Sequence, residues 1–146
     1  MTIIDFERVF EDLPSPYMLL DRDLCYVAAN KAYCDTTGRT FDELRGNNIF
    51  DLFPNPGESG RRLRESFKHV LTEGERDTLA YLRYPIPGAD GRMEDRYWTA
   101  VHTPIPNGSG EIAYVLQNTV DVTEYARLRE AATLPYRTQP TAEANL

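Results

Sequence analysis

IAYVLQNTVDVTEYARLRE, residues 112–130, is the stretch on which the reading of this chain turns. Residues 112–120 are rich in β-branched, aromatic and apolar residues, a composition that suits a half-buried pleated surface. Asp121-Val-Thr-Glu124 follows, an N-cap candidate with an acid three residues on, which approximates a capping box. Val122, Tyr125, Leu128 and Ala132 then recur at steps of three and four, the period of one helical face. The stretch therefore predicts a strand that hands over directly to an amphipathic helix leaving the domain. A junction of that kind can carry information outward.

Outward from it, 146 residues suffice for one domain with a real core and are too few for two comfortable ones. A hydrophobic content of 41% beside 27% charged residues is that of an ordinary globular protein. No apolar run approaches the ~20 residues that span a bilayer. Acids interrupt residues 1–13, so no signal peptide is read there, and a cytoplasmic location without a membrane partner is expected. Met1 favours an N-terminal domain. A net charge of -7 argues against a nucleic-acid partner. Arg61, Arg62, Arg64 and Lys68 alternate with Glu58 and Glu65 on a predicted helix and read as a solvated face. Cys25 and Cys34 make no disulfide framework and are expected as free thiols.

Along the chain, Phe6, Val9, Phe10 and Leu13 form one helical stripe that Pro14 and Pro16 end. Residues 17–20 and 25–29 are apolar runs around Asp21-Arg-Asp23, a hairpin signature. Asn30 caps a short helix over 31–37 that Gly38 closes; Thr40 caps another over 41–44, and one more turn spans 48–53. Leu63, Phe67, Val70 and Leu71 place a core stripe on a long helix that Gly74 stops. Three strands follow, over 78–86, 95–105 and 112–120, joined by loops containing Asp-Gly and Asn-Gly. The order predicts an α+β fold, with helices collected on one face of an antiparallel sheet. Its divisions are an amphipathic cap helix over 1–13, a core over 14–121, an exit helix over 122–134 that Pro135 ends, and a polar tail over 135–146.

Four segments in this order resemble a PAS domain: Leu13-Pro-Ser-Pro-Tyr-Met-Leu-Leu-Asp21, Val27-Ala-Ala-Asn-Lys-Ala-Tyr33, Thr37-Gly38 with Phe41-Asp-Glu-Leu-Arg-Gly46, and Asp121-Val-Thr-Glu124. Residues 96–105 further resemble the subgroup found in bacterial sensor histidine kinases and related signalling proteins. The resemblance implies a five-stranded sheet in the order B-A-I-H-G, with middle helices cupping a pocket. It also implies a sensory or dimerisation role rather than catalysis, and Asp121, Thr123 and Glu124 as the signalling junction. Flavin photosensors of this family carry a cysteine directly after Gly-x-Asn. Here Gly46-Asn-Asn48 is followed by Ile49, and Arg83, Thr99 and Thr119 stand where those proteins use amides, so a flavin adduct is disfavoured. Haem-binding members place a histidine early in the long helix. His69 lies near its end, so haem is disfavoured too, and the cofactor stays unknown.

If Thr119 points inward, as its aligned position implies, alternation puts Val115 and Gln117 on the same face. The neighbouring strands then contribute Thr99, Val101 and Thr103, and Leu79, Tyr81 and Arg83, to the pocket side. Buried Thr99, Gln117 and Thr119 need mutual pairing, water or a small polar ligand. The outward face would carry Leu82, Tyr84, Trp98, Ala100, Tyr114, Leu116 and Val120, too apolar to leave in water. The stripe of Phe6, Val9, Phe10 and Leu13 is the natural cover, from its own chain or from a second copy in a homodimer. The soft ligands Cys25, Cys34, His69 and His102 show no zinc spacing, and no catalytic constellation, P-loop or dinucleotide fingerprint is present. The expected role is a sensory module that serves a downstream signalling partner; the alternative is a ligand-free interaction module.

Overall fold

The computed structural model describes residues 2–138, and local caps and breakers account for most of its elements. Helix α1 (Phe6–Asp12) starts where the Asp5 carboxylate accepts from the Arg8 amide. It stops at Leu13-Pro14, since the residue before proline is driven out of the helical region. Strands β1 (Tyr17–Asp21) and β2 (Tyr26–Ala29) form a hairpin whose turn is tied by Asp21 accepting from the amides of Asp23 and Cys25. Asn30, fully buried, accepts from the amides of Tyr17 and Tyr33 and donates to the Ser15 carbonyl. One side chain thus anchors β1 and starts α2 (Lys31–Thr37), which Gly38 closes at φ +70°.

Helix α3 (Phe41–Leu44) opens on a reciprocal Thr40–Glu43 capping box, and α4 (Ile49–Leu52) on Asn48. Helix α5 (Glu58–Glu73) buries Leu63, Phe67, Val70 and Leu71. A Cβ on Gly60 would lie 1.8 Å from the Asn55 carbonyl oxygen, so only glycine lets the first turn of α5 fold back on its lead-in loop.

Strands β3 (Asp77–Arg83), β6 (Tyr97–Pro106) and β7 (Ile112–Asp121) complete an antiparallel sheet of order β2-β1-β7-β6-β3, the order that the resemblance implies. Helix α5 packs on β3, β6 and β7. Between β3 and β6, the short strands β4 (Ile86–Pro87) and β5 (Met93–Glu94) pair as a separate hairpin, whereas one strand running through Ile86 was expected. Helix α6 (Thr123–Thr138) continues past the expected stop at Pro135. Pro135 removes the bond that an amide there would have made to the Ala131 carbonyl. The expected tail lies outside the described residues from 139 onward.

The register overturns part of the predicted face assignment. Pro106 pairs with Ile112, and carrying that register along the ladder would set Thr99 opposite Thr119. An irregularity between Ile105 and Pro106 shifts the pairing by one residue, so Ala100 faces Thr119 and His102 faces Gln117. A slip of one residue moves every side chain to the other face. Trp98, Ala100 and His102 are therefore the buried, helix-facing residues of β6, and Thr99, Val101 and Thr103 stand on the outer face. A second irregularity, between Leu79 and Leu82, puts both leucines under the helices and turns Tyr81 and Arg83 outward. Tyr84, expected outward, is buried as well.

Candidate functional site

The helices and the inner sheet face line a cavity of about 60 Å3. Its floor is Trp98 and Ala100 of β6 with Gln117 and Thr119 of β7; Leu82 and Tyr84 form one end. Helices supply Tyr33, Thr36 and Thr37 from α2, Ile49 from α4 and Leu63 from α5, and Ile86 of the small hairpin adds a side wall. Of the pocket residues expected from sequence, Gln117 and Thr119 line this space. Leu79 packs against the core and Val115 is buried within it, apart from the cavity. Tyr81, Arg83, Thr99, Val101 and Thr103 do not reach it, for the reasons of register given above.

Most polar groups in the wall are already engaged. The Tyr33 and Tyr26 hydroxyls share a 2.6 Å hydrogen bond, and burial raises the pKa of both well above the ordinary phenol value. The Tyr84 hydroxyl donates to the Phe53 carbonyl, and burial pushes its pKa up to about 12. Trp98 Nε1 donates to the Tyr84 carbonyl at 2.9 Å, and the Thr37 hydroxyl to the Tyr33 carbonyl at 3.0 Å.

Behind the floor lies a polar strut that sequence reasoning passed over. His102 is 0% exposed; its Nδ1 is 2.7 Å from Ser66 Oγ on α5 and its Nε2 is 2.9 Å from Gln117 Nε2. Phe67 stacks on the ring with centroids 4.4 Å apart. Burial lowers the His102 pKa to about 4, against a smaller opposing pull from Asp77, so the imidazole is neutral at physiological pH. The available signal was a histidine among alternating apolar residues of a strand, which the slipped register placed with the wrong neighbours. His69, by contrast, lies on the surface of α5, 3.4 Å from Glu75.

The junction at the end of β7 is a second cluster. Asp121 accepts from the Thr123 amide at 2.9 Å and from its hydroxyl at 2.5 Å, and Arg96 Nη1 pairs with the same carboxylate at 2.5 Å. Burial works against the charge on Asp121, but the Thr123 and Arg96 bonds outweigh it and hold the carboxyl below its ordinary pKa. Thr123 Oγ1 also accepts from the Tyr97 amide, which ties the start of α6 to β6. The expected capping box is incomplete: among the described residues Glu124 makes no return bond to Asp121, and it lines a surface groove with Glu94 and Arg127. One turn on, Tyr81 holds φ +54° within its bulge and stacks on Tyr125, ring centroids 6.2 Å apart, with the Arg129 guanidinium 5.1 Å from the centroid of the Tyr81 ring.

The outer sheet face keeps Tyr114, Leu116 and Val120, and Val120 is 47% exposed. Helix α1 lies beside α2 and buries none of its residues fully. Phe6 is 74% and Val9 49% exposed, while Phe10 and Leu13 are half-buried. Within one chain, then, α1 does not cap that face.

Comparison with known proteins gives a consistent answer. A family model described as "PAS fold" matches residues 10–127. The chain is 30% identical over 124 residues to a blue-light-activated histidine kinase of Rhizobium johnstonii, an alignment covering 82% of this chain and 33% of the kinase. Among solved structures, the PAS domain of BvgS from Bordetella pertussis is 25% identical, with a TM-score of 0.65 over 90% of this chain and 96% of that one. An RNA-binding light-oxygen-voltage receptor shares the fold at 22% identity and a TM-score of 0.66, over 92% of this chain and 38% of the receptor.

Proposed function

The chain belongs to the PAS-fold family, and from that premise we propose that it is a non-catalytic sensory domain of a signalling protein. The observation that carries this reading is the double duty of β7. Gln117 and Thr119 face the cavity, and two residues later Asp121 of the same strand holds the exit helix through Thr123 and Arg96. A ligand that engages the first pair acts on the strand that positions the second. Differential affinity for two arrangements of strand and helix is what a sensor needs, since a ligand shifts an equilibrium only by that difference.

The relative from Rhizobium is light-activated by name, but by the family resemblance Ile49 stands here where the photosensors have their cysteine, which disfavours a flavin–thiol adduct. Hydrogen exchange tests the coupling. Wild type and Ala100→Leu, which fills the cavity, should differ in exchange across residues 123–130; identical exchange in a folded variant would remove the basis for the relay.

A second reading has its own support. The exposed stripe of Ile3, Ile4, Phe6 and Val9 and the apolar outer sheet face suit a homodimer, in which α1 of one copy lies on the sheet of the other. Dimerisation is compatible with sensing, and would serve alone if the cavity takes no ligand.

A further inference from the structure

The cavity wall carries enough chemistry to say what kind of molecule it accepts. No charged side chain of the described residues lines it. The guanidinium groups of Arg39 and Arg64 lie over the faces of Phe53 and Phe50 at 5.4 and 4.2 Å and are not part of the lining. A carboxylate or ammonium placed inside would give up hydration without a counter-charge, which disfavours charged ligands. The imidazole behind the floor offers no such charge, because both its nitrogens are engaged within the protein.

Size narrows the class further. A single water needs on the order of 10–15 Å3 of such space, so about 60 Å3 corresponds to a molecule of only a few heavy atoms. That is far below the roughly 300–1,000 Å3 that encloses a drug-sized ligand. Hydrogen-bonding capacity is narrow too. Thr37, Tyr84 and Trp98 already spend their donors on protein partners, and the Tyr33 hydroxyl is paired with that of Tyr26. The Thr36 and Thr119 hydroxyls make no side-chain bond among the described residues, and Gln117 bonds His102 through Nε2, which leaves its carbonyl as an acceptor facing the same floor.

We propose that this cavity binds a small, uncharged, mainly hydrocarbon molecule bearing one hydroxyl-like group, which pairs with Thr119 and Gln117 while its carbon skeleton packs on Trp98, Leu82 and Ile86. The proposal rests on the sensory reading and specifies the ligand chemistry of that site.

Nuclear magnetic resonance titration of the full chain tests it, with n-butanol, butyrate and n-butylammonium as probes. The Trp98 indole N–H and the Gln117 side-chain amide are the reporters. The expected result is saturable shifts at both reporters with n-butanol, and at least tenfold weaker binding of the two charged probes. Thr119→Val, which keeps the shape and removes the hydroxyl, should weaken n-butanol about three- to tenfold, and Ala100→Leu should abolish binding. Binding of butyrate or n-butylammonium as tight as n-butanol would overturn the ligand class and leave the sensory reading standing. Saturation by none of the three would overturn both the class and the cavity's part in sensing. Unchanged n-butanol binding in both variants would place the site elsewhere and overturn the proposal.

Discussion

Ser66 Oγ and His102 Nδ1 meet 2.7 Å apart inside the core, fastening the long helix α5 to strand β6 from below. Because burial holds the His102 pKa near 4, against 6.5 in an unfolded chain, the unfolded state binds more protons between those values. Stability from this residue is thus fully present above about pH 6.5, falls as pH drops towards 4, and is flat below. The loss from neutral pH to pH 5 should be about 2 kcal/mol. Urea unfolding at both pH values checks this, with His102→Gln as reference. If the variant shows as steep a pH slope as wild type, His102 is not the source.

At the junction, Asp121→Ala removes the acceptor of both Thr123 bonds and the partner of Arg96. Loss of a capping side chain costs about 1 kcal/mol. The expected outcome is a drop of about 1–2 kcal/mol in unfolding free energy, with faster amide exchange concentrated in residues 123–127. Exchange that rises evenly across the sheet instead would mean that Asp121 supports the fold and not the helix.

Tyr81 sets two terms of similar size against each other. A left-handed backbone costs a non-glycine residue roughly 1–2 kcal/mol, and its stack on Tyr125 returns about 0.5–1.5 kcal/mol. Tyr81→Gly should therefore leave global stability within about 1 kcal/mol of wild type while α6 loses exchange protection. Tyr125→Ala keeps the strain, loses the stack and should be the less stable of the two. The reverse order in thermal melts would show that the bulge carries no strain.

Self-association has a direct measurement. Light scattering of the intact chain should give the mass of a dimer, and both the chain lacking residues 1–13 and the pair Phe6→Asp with Val9→Asp should give a monomer. Both residues are exposed in the single chain, so the variant should stay folded and lose only the part of its melting temperature that rises with protein concentration. An intact chain that is monomeric sinks the dimer.

Most of the architecture could be read from local chemistry. Asn30, Gly38, Thr40 and Gly74 mark helix ends because their capping geometry depends on near neighbours alone. The site was harder, since it depends on register, and register was displaced by irregularities at Ile105/Pro106 and within residues 79–82 that no local residue pattern announces. Gln117 and Thr119 could be placed in the cavity because the aligned position of Thr119 in the family resemblance set the phase of their strand. Trp98 and Ala100 were assigned to the wrong side because the faces of their strand were set by its register against β7, which slips by one residue. Tyr81 at positive φ was invisible for a related reason: a bulky residue there runs against local preference and is held by tertiary contacts.

The position of β7 bears on how the domain is made. It is the central strand of the sheet, bonded to β1 on one side and β6 on the other, yet it is the last strand in the chain. Tyr17 must find Asn118 across about a hundred intervening residues, a closure that local structure cannot assist and that slows folding of non-local topologies. A nascent chain therefore holds β1 and β2 without their inner neighbour until translation is nearly through the domain. Any segment joined after α6 is synthesised only once the keystone strand exists, so whatever it fuses to meets a sheet that is ready to be completed.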